Sequence, residues 1–352
     1  MNRLQSIRPF GQRIWLDNLS RELLASGTLT RLIQEEGLAG ITSNPTIFHK
    51  AISQDARYRD DLAYLKSQGG DAEAVYEALV VPDVQAACDL FAATYLASNR
   101  DDGYVSLEVS PLLAHDAEGT LAAARRLWAA VNRPNLLIKI PATAAGVQAF
   151  RELIREGVNV NITLLFSLAQ VEAVWDGYLA GLTARHADGA PLEHVKAVAS
   201  FFLSRVDTLL DPQLPAELQG KAAIALARAA YARYQKRFHG PEFAELAVAG
   251  ARPQYLLWAS TGTKNPAYSD VLYVEELIGA ETVNTMPDAT LAAFRDHGTA
   301  DDTLSGTAAG ALATLVQVAQ HGLDLTAAGE QLQQQGLKLF EDSYRALLEL
   351  TA

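Results

Sequence analysis

Lys139 stands in the run Leu136-Leu137-Ile138-Lys139-Ile140, an ammonium flanked by apolar residues on both sides. A lysine is almost never fully buried without a partner or a chemical task. Two readings are open. In one it pairs with a carboxylate, Asp17 in WLDNLS or Glu108 in SLEVSP. In the other it is a nucleophile that condenses with a substrate carbonyl as a Schiff base. The second needs a free amine, and an ordinary lysine side chain, with a pKa of ~10.4, is under ~0.1% neutral at pH 7. Desolvation raises that fraction. Imine chemistry also needs proton transfers, since water leaves the carbinolamine and a hydroxyl loses its proton as the adjacent C–C bond breaks. Asp17 and Glu108 serve equally well as counter-charges or, in differing environments, as the two groups that divide this work. Thr163 in NITLLFS either orients a water or is present for its β-propensity.

A second group of residues suits an anion. Arg205 follows the sixth apolar run, and Lys264 closes the stretch Ser260-Thr261-Gly262-Thr263-Lys264. A short Gly/Ser/Thr loop with a cation after the seventh strand of an α/β barrel is a candidate phosphate cradle, against the plainer reading of solvated surface cations. It is not a P-loop, because the G-x-x-x-x-G-K-[ST] spacing is absent. Cys88 stands alone, so no intrachain disulfide and no thiolate metal cluster is expected. Histidines are scattered from His49 to His321 with none spaced as a metal pair. No metal is therefore expected, and without metal ligands a carbonyl substrate has to be activated covalently. Lys139 fits that need.

These residues must be carried by elements that converge. Eight β-rich apolar runs recur, at 13–19, 38–44, 103–110, 135–143, 158–166, 196–204, 253–261 and 281–287, each followed by helix-forming sequence. Continuous apolar strands separated by helices imply a parallel sheet covered on both faces, and eight units point to a closed (β/α)8 barrel. Ser20 is expected to cap a helix that Gly27 ends, and Thr28 another that Gly37 ends; Gly157 and Gly279 close the helices before the fifth and eighth strands. The intervals 45–102 (including a helix at 83–98) and 205–250 are read as helical insertions into one domain spanning 1–352, with two further helices at 307–350 packing over the barrel. In such a barrel the active site lies at the strand C-termini. There the runs supply Asp17, Thr42, Asn44, Glu108, Lys139, Asn161, Thr163, Ser200 and Ser260. Period-two alternation puts Asn159, Asn161 and Thr163 on one face, and Ser106, Glu108 and Ser110 likewise. A polar inner set has no packing purpose.

Composition narrows the partners. The 352 residues are 49% hydrophobic and 20% charged, which permits a large core and argues against a disordered chain. Lys and Arg number 29 against 41 Asp and Glu, a formal charge of -12, so a phosphate-backbone binder is not expected, while a local basic pocket for one small anion stays open. No apolar run of membrane-spanning length stands out, and MNRLQSIRPFGQRIW lacks the apolar core of a signal peptide. A cytoplasmic protein with no membrane and no nucleic-acid partner is the expectation. Oligomeric state is not legible.

The segments WLDNLS, GITSNPTIF, SLEVSP, LIKIPAT, VNVNITLLFS and ETVNTMPDATL, in this order, resemble the strand-end motifs of the transaldolase family from residue 13 to about 297. The resemblance implies a (β/α)8 barrel and a cofactor-independent reaction that moves a dihydroxyacetone unit from sedoheptulose 7-phosphate to glyceraldehyde 3-phosphate, in the pentose phosphate pathway. It implies Lys139 as the Schiff-base lysine and Asp17 as the acid/base group at the C4 hydroxyl. Glu108 and Thr163 match the pair that holds a catalytic water, and Asn44 and Asn161 match the asparagines that hold the dihydroxyacetone unit. Ser200 and Arg205, in SFFLSR, match hydroxyl and phosphate contacts. The chain departs from the family after the seventh strand: an arginine is usual just past the serine, whereas here Ser260 is followed by Thr261-Gly262-Thr263-Lys264, and Lys264 would act as a point cation. Two competitors share the residues. A sugar-phosphate aldolase would release dihydroxyacetone instead of passing it on, and a non-catalytic sugar-phosphate-binding barrel would need neither the lysine nor the carboxylates.

Overall fold

The computed structural model describes residues 2–352. Every apolar run contains a strand: β1 (Gln12–Asp17), β2 (Gly40–Thr42), β3 (Tyr104–Glu108), β4 (Leu136–Pro141), β5 (Val160–Leu165), β6 (Ala197–Phe202), β7 (Tyr255–Ala259) and β8 (Thr282–Met286). They pair in parallel, in chain order, and β1 closes on β8. The expected (β/α)8 barrel is the architecture of the chain. Strands are shorter than the runs because the terminal polar residues leave the ladder to become caps: Asn44 caps the helix Pro45–Gln54 and Thr143 the helix Ala144–Glu156.

Register aligns the chemistry. Glu108 pairs with Lys139 and Lys139 with Asn161, so three strands present these residues in one row. Asp17 pairs with Thr42 on the other side of the barrel. Gly40, opposite Trp15, has no room for a side chain: a Cβ there would lie 2.6 Å from the indole. The β5–β6 register shifts between Ile162 and Leu165, where Leu164 takes a left-handed φ of 63° just after Thr163.

Some helix boundaries differ from expectation. Ser20 caps Arg21–Ala25, but Ser26 ends that helix. Gly27, at φ 75°, opens Thr28–Glu36, so Thr28 is its first residue and not its cap; Gly37 ends it as expected. Gly157 ends Ala144–Glu156. Gly279 ends nothing, because the helix before β8 is the single turn Leu272–Glu275; the glycine instead admits Leu304, which a Cβ would meet at 2.8 Å. The 45–102 interval holds the helix Ala72–Ala97, which starts well before residue 83. By length and composition it is apolar enough to cross a membrane, contrary to the reading of the runs. It packs on the barrel through Val75, Leu79, Val84 and Phe91, and its buried Asp83 is hydrogen-bonded by Tyr58 Oη at 2.7 Å and Arg21 Nε at 3.1 Å.

The two ends of the barrel differ. At the N-terminal end, Lys196 Nζ lies 2.7 Å from Asp101 Oδ1, Arg13 pairs with the same carboxylate, and Tyr255 donates to it at 3.2 Å. At the C-terminal end the helix Leu325–Thr351 crosses the mouth, where Gln333 Nε2 donates to the carbonyls of Ala142 and Leu164, both at 3.0 Å.

Candidate active site

Lys139 is 4% exposed; its Nζ lies 3.1 Å from Glu108 Oε2 and donates to Ser43 O at 3.1 Å. The ring of Phe340 covers a further side, its centroid 5.4 Å from the nitrogen. Pairing and chemistry are not alternatives here. The ion pair exists, and the same amine lines a cavity of about 160 Å³ that also meets Asp17, Thr42, Thr163 and Thr285. The strand C-termini build this cavity, as a barrel site requires.

Asp17 accepts from Thr42 Oγ1 at 2.6 Å, and that hydroxyl also lies 2.6 Å from Thr285 Oγ1. Burial raises the Asp17 pKa above its ordinary 3.8, with Lys139 pulling it back. Glu108, 5% exposed, is raised above 4.5 for the same reason, and its pairing with Lys139 only partly offsets the burial. The two carboxyls sit in different settings. Asp17 faces the cavity with a hydroxyl on it, whereas Glu108 stands behind the lysine. Glu108 Oε1 and Thr163 Oγ1 are buried and have no hydrogen-bond partner among the described residues, so both suit a small polar molecule beside the amine.

Asn161 lies deeper than the cavity wall, donating to Ser106 Oγ at 3.1 Å and accepting from Ser200 Oγ at 2.6 Å. Ser200 reaches the cavity itself. Asn44 also lines it, with Oδ1 engaged in capping Ile47 N at 3.0 Å, which leaves its amide donors for a ligand.

The β6–β7 side of the cavity carries the cations. Arg205 and Lys264 both line it, with Ser260 between the strands. Burial alone lowers the Arg205 pKa, and among the described residues no carboxylate pairs with this guanidinium. A desolvated arginine at a cavity wall has the charge and donor geometry that suit an anion. Ser260 takes a left-handed φ of 54°, and its Oγ lies 2.8 Å from Ser204 Oγ. Lys264 is exposed, consistent with a point charge at the rim. The strand-end residues and the two cations singled out in the sequence thus gather at one end of the barrel. Thr285, Phe202 and Phe340 join them without having been singled out; period two puts Thr285 on the face it shares with Val283 and with Pro287 just past β8, and a polar residue there at the strand's C-terminal end is the signal that could have exposed it. Among the described residues no group of three or more His, Cys, Asp or Glu side chains could hold a metal ion.

A parallel eight-stranded barrel with one buried lysine between two carboxyls at its C-terminal mouth defines a lysine-centred barrel enzyme. The family model described as Transaldolase/Fructose-6-phosphate aldolase matches residues 14–351. The chain is 53% identical over 355 residues to a protein named Transaldolase from Thiobacillus denitrificans, covering 99% of each chain. It is 51% identical to one so named from Neisseria gonorrhoeae, again with 99% of each covered, and 46% identical to one from Mycolicibacterium smegmatis, covering 99% of this chain and 96% of that one. The chain belongs to the transaldolase/fructose-6-phosphate aldolase family and is an enzyme of that family.

Proposed function

We propose that this enzyme is a transaldolase that transfers a dihydroxyacetone unit from sedoheptulose 7-phosphate to glyceraldehyde 3-phosphate, giving erythrose 4-phosphate and fructose 6-phosphate, through a Schiff base on Lys139. The observation that carries the reading is the buried Lys139 amine at a cavity with Glu108 behind it and Asp17 across from it. The amine attacks the ketose C2, and the carbinolamine loses water to the iminium. Glu108 and Thr163, with their unpartnered oxygens, hold that water and shuttle its proton. Asp17 takes the C4 hydroxyl proton, the C3–C4 bond breaks, and its electrons flow into the iminium to leave an enamine. The carboxyl then returns the proton to the new alkoxide when C3 adds to the acceptor aldehyde. Both raised carboxyl pKa values suit groups that must exchange protons rather than only hold charge. Asn44, Asn161 and Ser200 hold the hydroxyls of the three-carbon unit, and Arg205, Ser260 and Lys264 receive the phosphate. We further propose that the chain acts as one domain, in the cytoplasm. Borohydride added with fructose 6-phosphate should leave a stable mass adduct on the peptide containing Lys139, and Lys139→Met should abolish both adduct and turnover. An adduct on another lysine, or full activity in Lys139→Met, refutes the mechanism. Product analysis with and without erythrose 4-phosphate separates transfer from simple aldol cleavage.

A further inference from the structure

One side chain in the cavity comes from the last helix, far along the chain from any strand end. Phe340 sits on the helix Leu325–Thr351, 3% exposed, lining the cavity with its ring centroid 5.4 Å from Lys139 Nζ. The helix holds it at a fixed depth. Gln333, Gly336 and Phe340 fall on one helical face. Gln333 is tied to the carbonyls that follow β4 and close β5. Gly336 lets the helix approach so closely that a Cβ there would lie 2.9 Å from Leu164 Cδ2. Farther along, Ser343 Oγ lies 2.8 Å from Thr46 Oγ1, and Tyr344 packs edge-on against Tyr76. Around Lys139, Glu108 and Ser43 O are polar and Phe340 is apolar.

We propose that Phe340 is a positioning residue that decides between transfer and release: its ring is the apolar wall that keeps bulk water off the three-carbon unit held by Lys139. The inference rests on the transaldolase reading above. After C3–C4 cleavage the bound enamine has two fates. In transfer, C3 attacks an aldehyde carbon, a new C–C bond forms, and the alkoxide takes a proton. In release, C3 takes the proton that Asp17 accepted from the C4 hydroxyl, water adds at C2 of the resulting iminium, and the C2–N bond breaks to give dihydroxyacetone and the free amine. The water consumed replaces the one expelled when the imine formed, so release needs no further reactant. It does need water at C2 before an acceptor arrives; once the water expelled toward Glu108 and Thr163 has left, it must be replaced from bulk, and an apolar wall over the amine slows that replacement.

The test uses the full chain with Phe340→Ala and Phe340→Leu. Free dihydroxyacetone is measured with fructose 6-phosphate alone, and transfer is measured with erythrose 4-phosphate added. The ratio of release to transfer should rise about tenfold in Phe340→Ala, and Phe340→Leu, which restores apolar bulk without an aromatic ring, should return most of it. Borohydride trapping on Lys139 in each variant reports that the site is assembled, and if the alanine variant does not trap, Phe340→Gln, which keeps bulk but is polar, takes its place and should leak as alanine is expected to, an unchanged ratio overturning the proposal in the same way. An unchanged ratio in a trapping Phe340→Ala, or a leucine variant as leaky as alanine, overturns the proposal. Absence of any adduct on Lys139 in wild type overturns the activity reading instead.

Discussion

Removing the Arg205 guanidinium separates a phosphate site from a structural cation. In the folded chain this side chain lines the cavity, is partly desolvated, and among the described residues has no carboxylate to leave behind when it is removed. Its guanidinium lies loosely over the Phe202 ring, 5.9 Å from the centroid. Arg205→Ala should therefore fold almost as well as wild type, with melting changed by no more than the loss of some side-chain packing. Function should change more. A charge-assisted contact to phosphate is worth roughly 1.5–3 kcal/mol, so kcat/KM for fructose 6-phosphate should fall about ten- to a hundredfold. The unphosphorylated ketose never makes the contact, and its kcat/KM should stay close to the wild-type value. The assay is the ratio of the two constants in wild type and variant at one ionic strength. Lys264→Ala should move the same ratio less, because that ammonium is exposed at the rim and screened by salt. If Arg205→Ala lowers both constants alike, the arginine supports the fold or the chemistry and not the phosphate.

The raised pKa values of Asp17 and Glu108 set the acidic limb of activity: the proton-accepting forms are lost on acidification at a pH above the ordinary 3.8 and 4.5 of such groups, so the limb of kcat/KM measured against pH should lie above that range. Asp17→Ala should still trap the borohydride adduct while turning over about a hundredfold or more slowly, whereas Glu108→Ala should trap it slowly; equal effects on trapping would contradict a division of labour. At the other end of the barrel, Lys196 and Arg13 outweigh the burial of Asp101 and hold its pKa down at about 2. A depressed carboxyl stabilises the fold above its unfolded pKa, so Asp101→Asn should cost on the order of 2–3 kcal/mol near neutrality, and the difference from wild type in denaturant melts should fade between about pH 4 and pH 2.

Much of the site was legible in the chain because a barrel strand has a strict period of two and its C-terminal end faces the site. Asp17, Glu108, Lys139 and Thr163 could be picked out as polar residues set in apolar runs, and a lysine between isoleucines marks itself by the cost of burying it. The succession of eight such runs with helices between them was enough for the closed barrel, since parallel strands covered on both faces carry their apolar character in the sequence. Helix ends were less legible: Gly27 opens a helix and Gly279 admits Leu304, because a glycine's letter is the same whether it serves a cap or a close approach. The length of Ala72–Ala97 was also concealed, as its acidic residues and Pro82 break up a stretch that tertiary contacts keep helical.

By itself, then, the sequence determined the strand count, the polar inner rows and the lysine embedded in an apolar strand, because all of these are local patterns read along one element. Only the tertiary structure decided which groups meet. Glu108 came to lie 3.1 Å behind Lys139, with Asp17 across the cavity, through the register of strands far apart in the chain. It put Asn161 beneath the cavity wall, bonded to Ser106 and Ser200, and left Arg205 without a carboxylate partner. Phe340 is the extreme case: no strand period reaches a residue in the last helix, and its place over the amine follows from how Gln333 and Gly336 seat that helix on β4 and β5. Spacing along a chain specifies which face a residue shares with its neighbours, while the approach of distant elements is set by the packing of all of them at once.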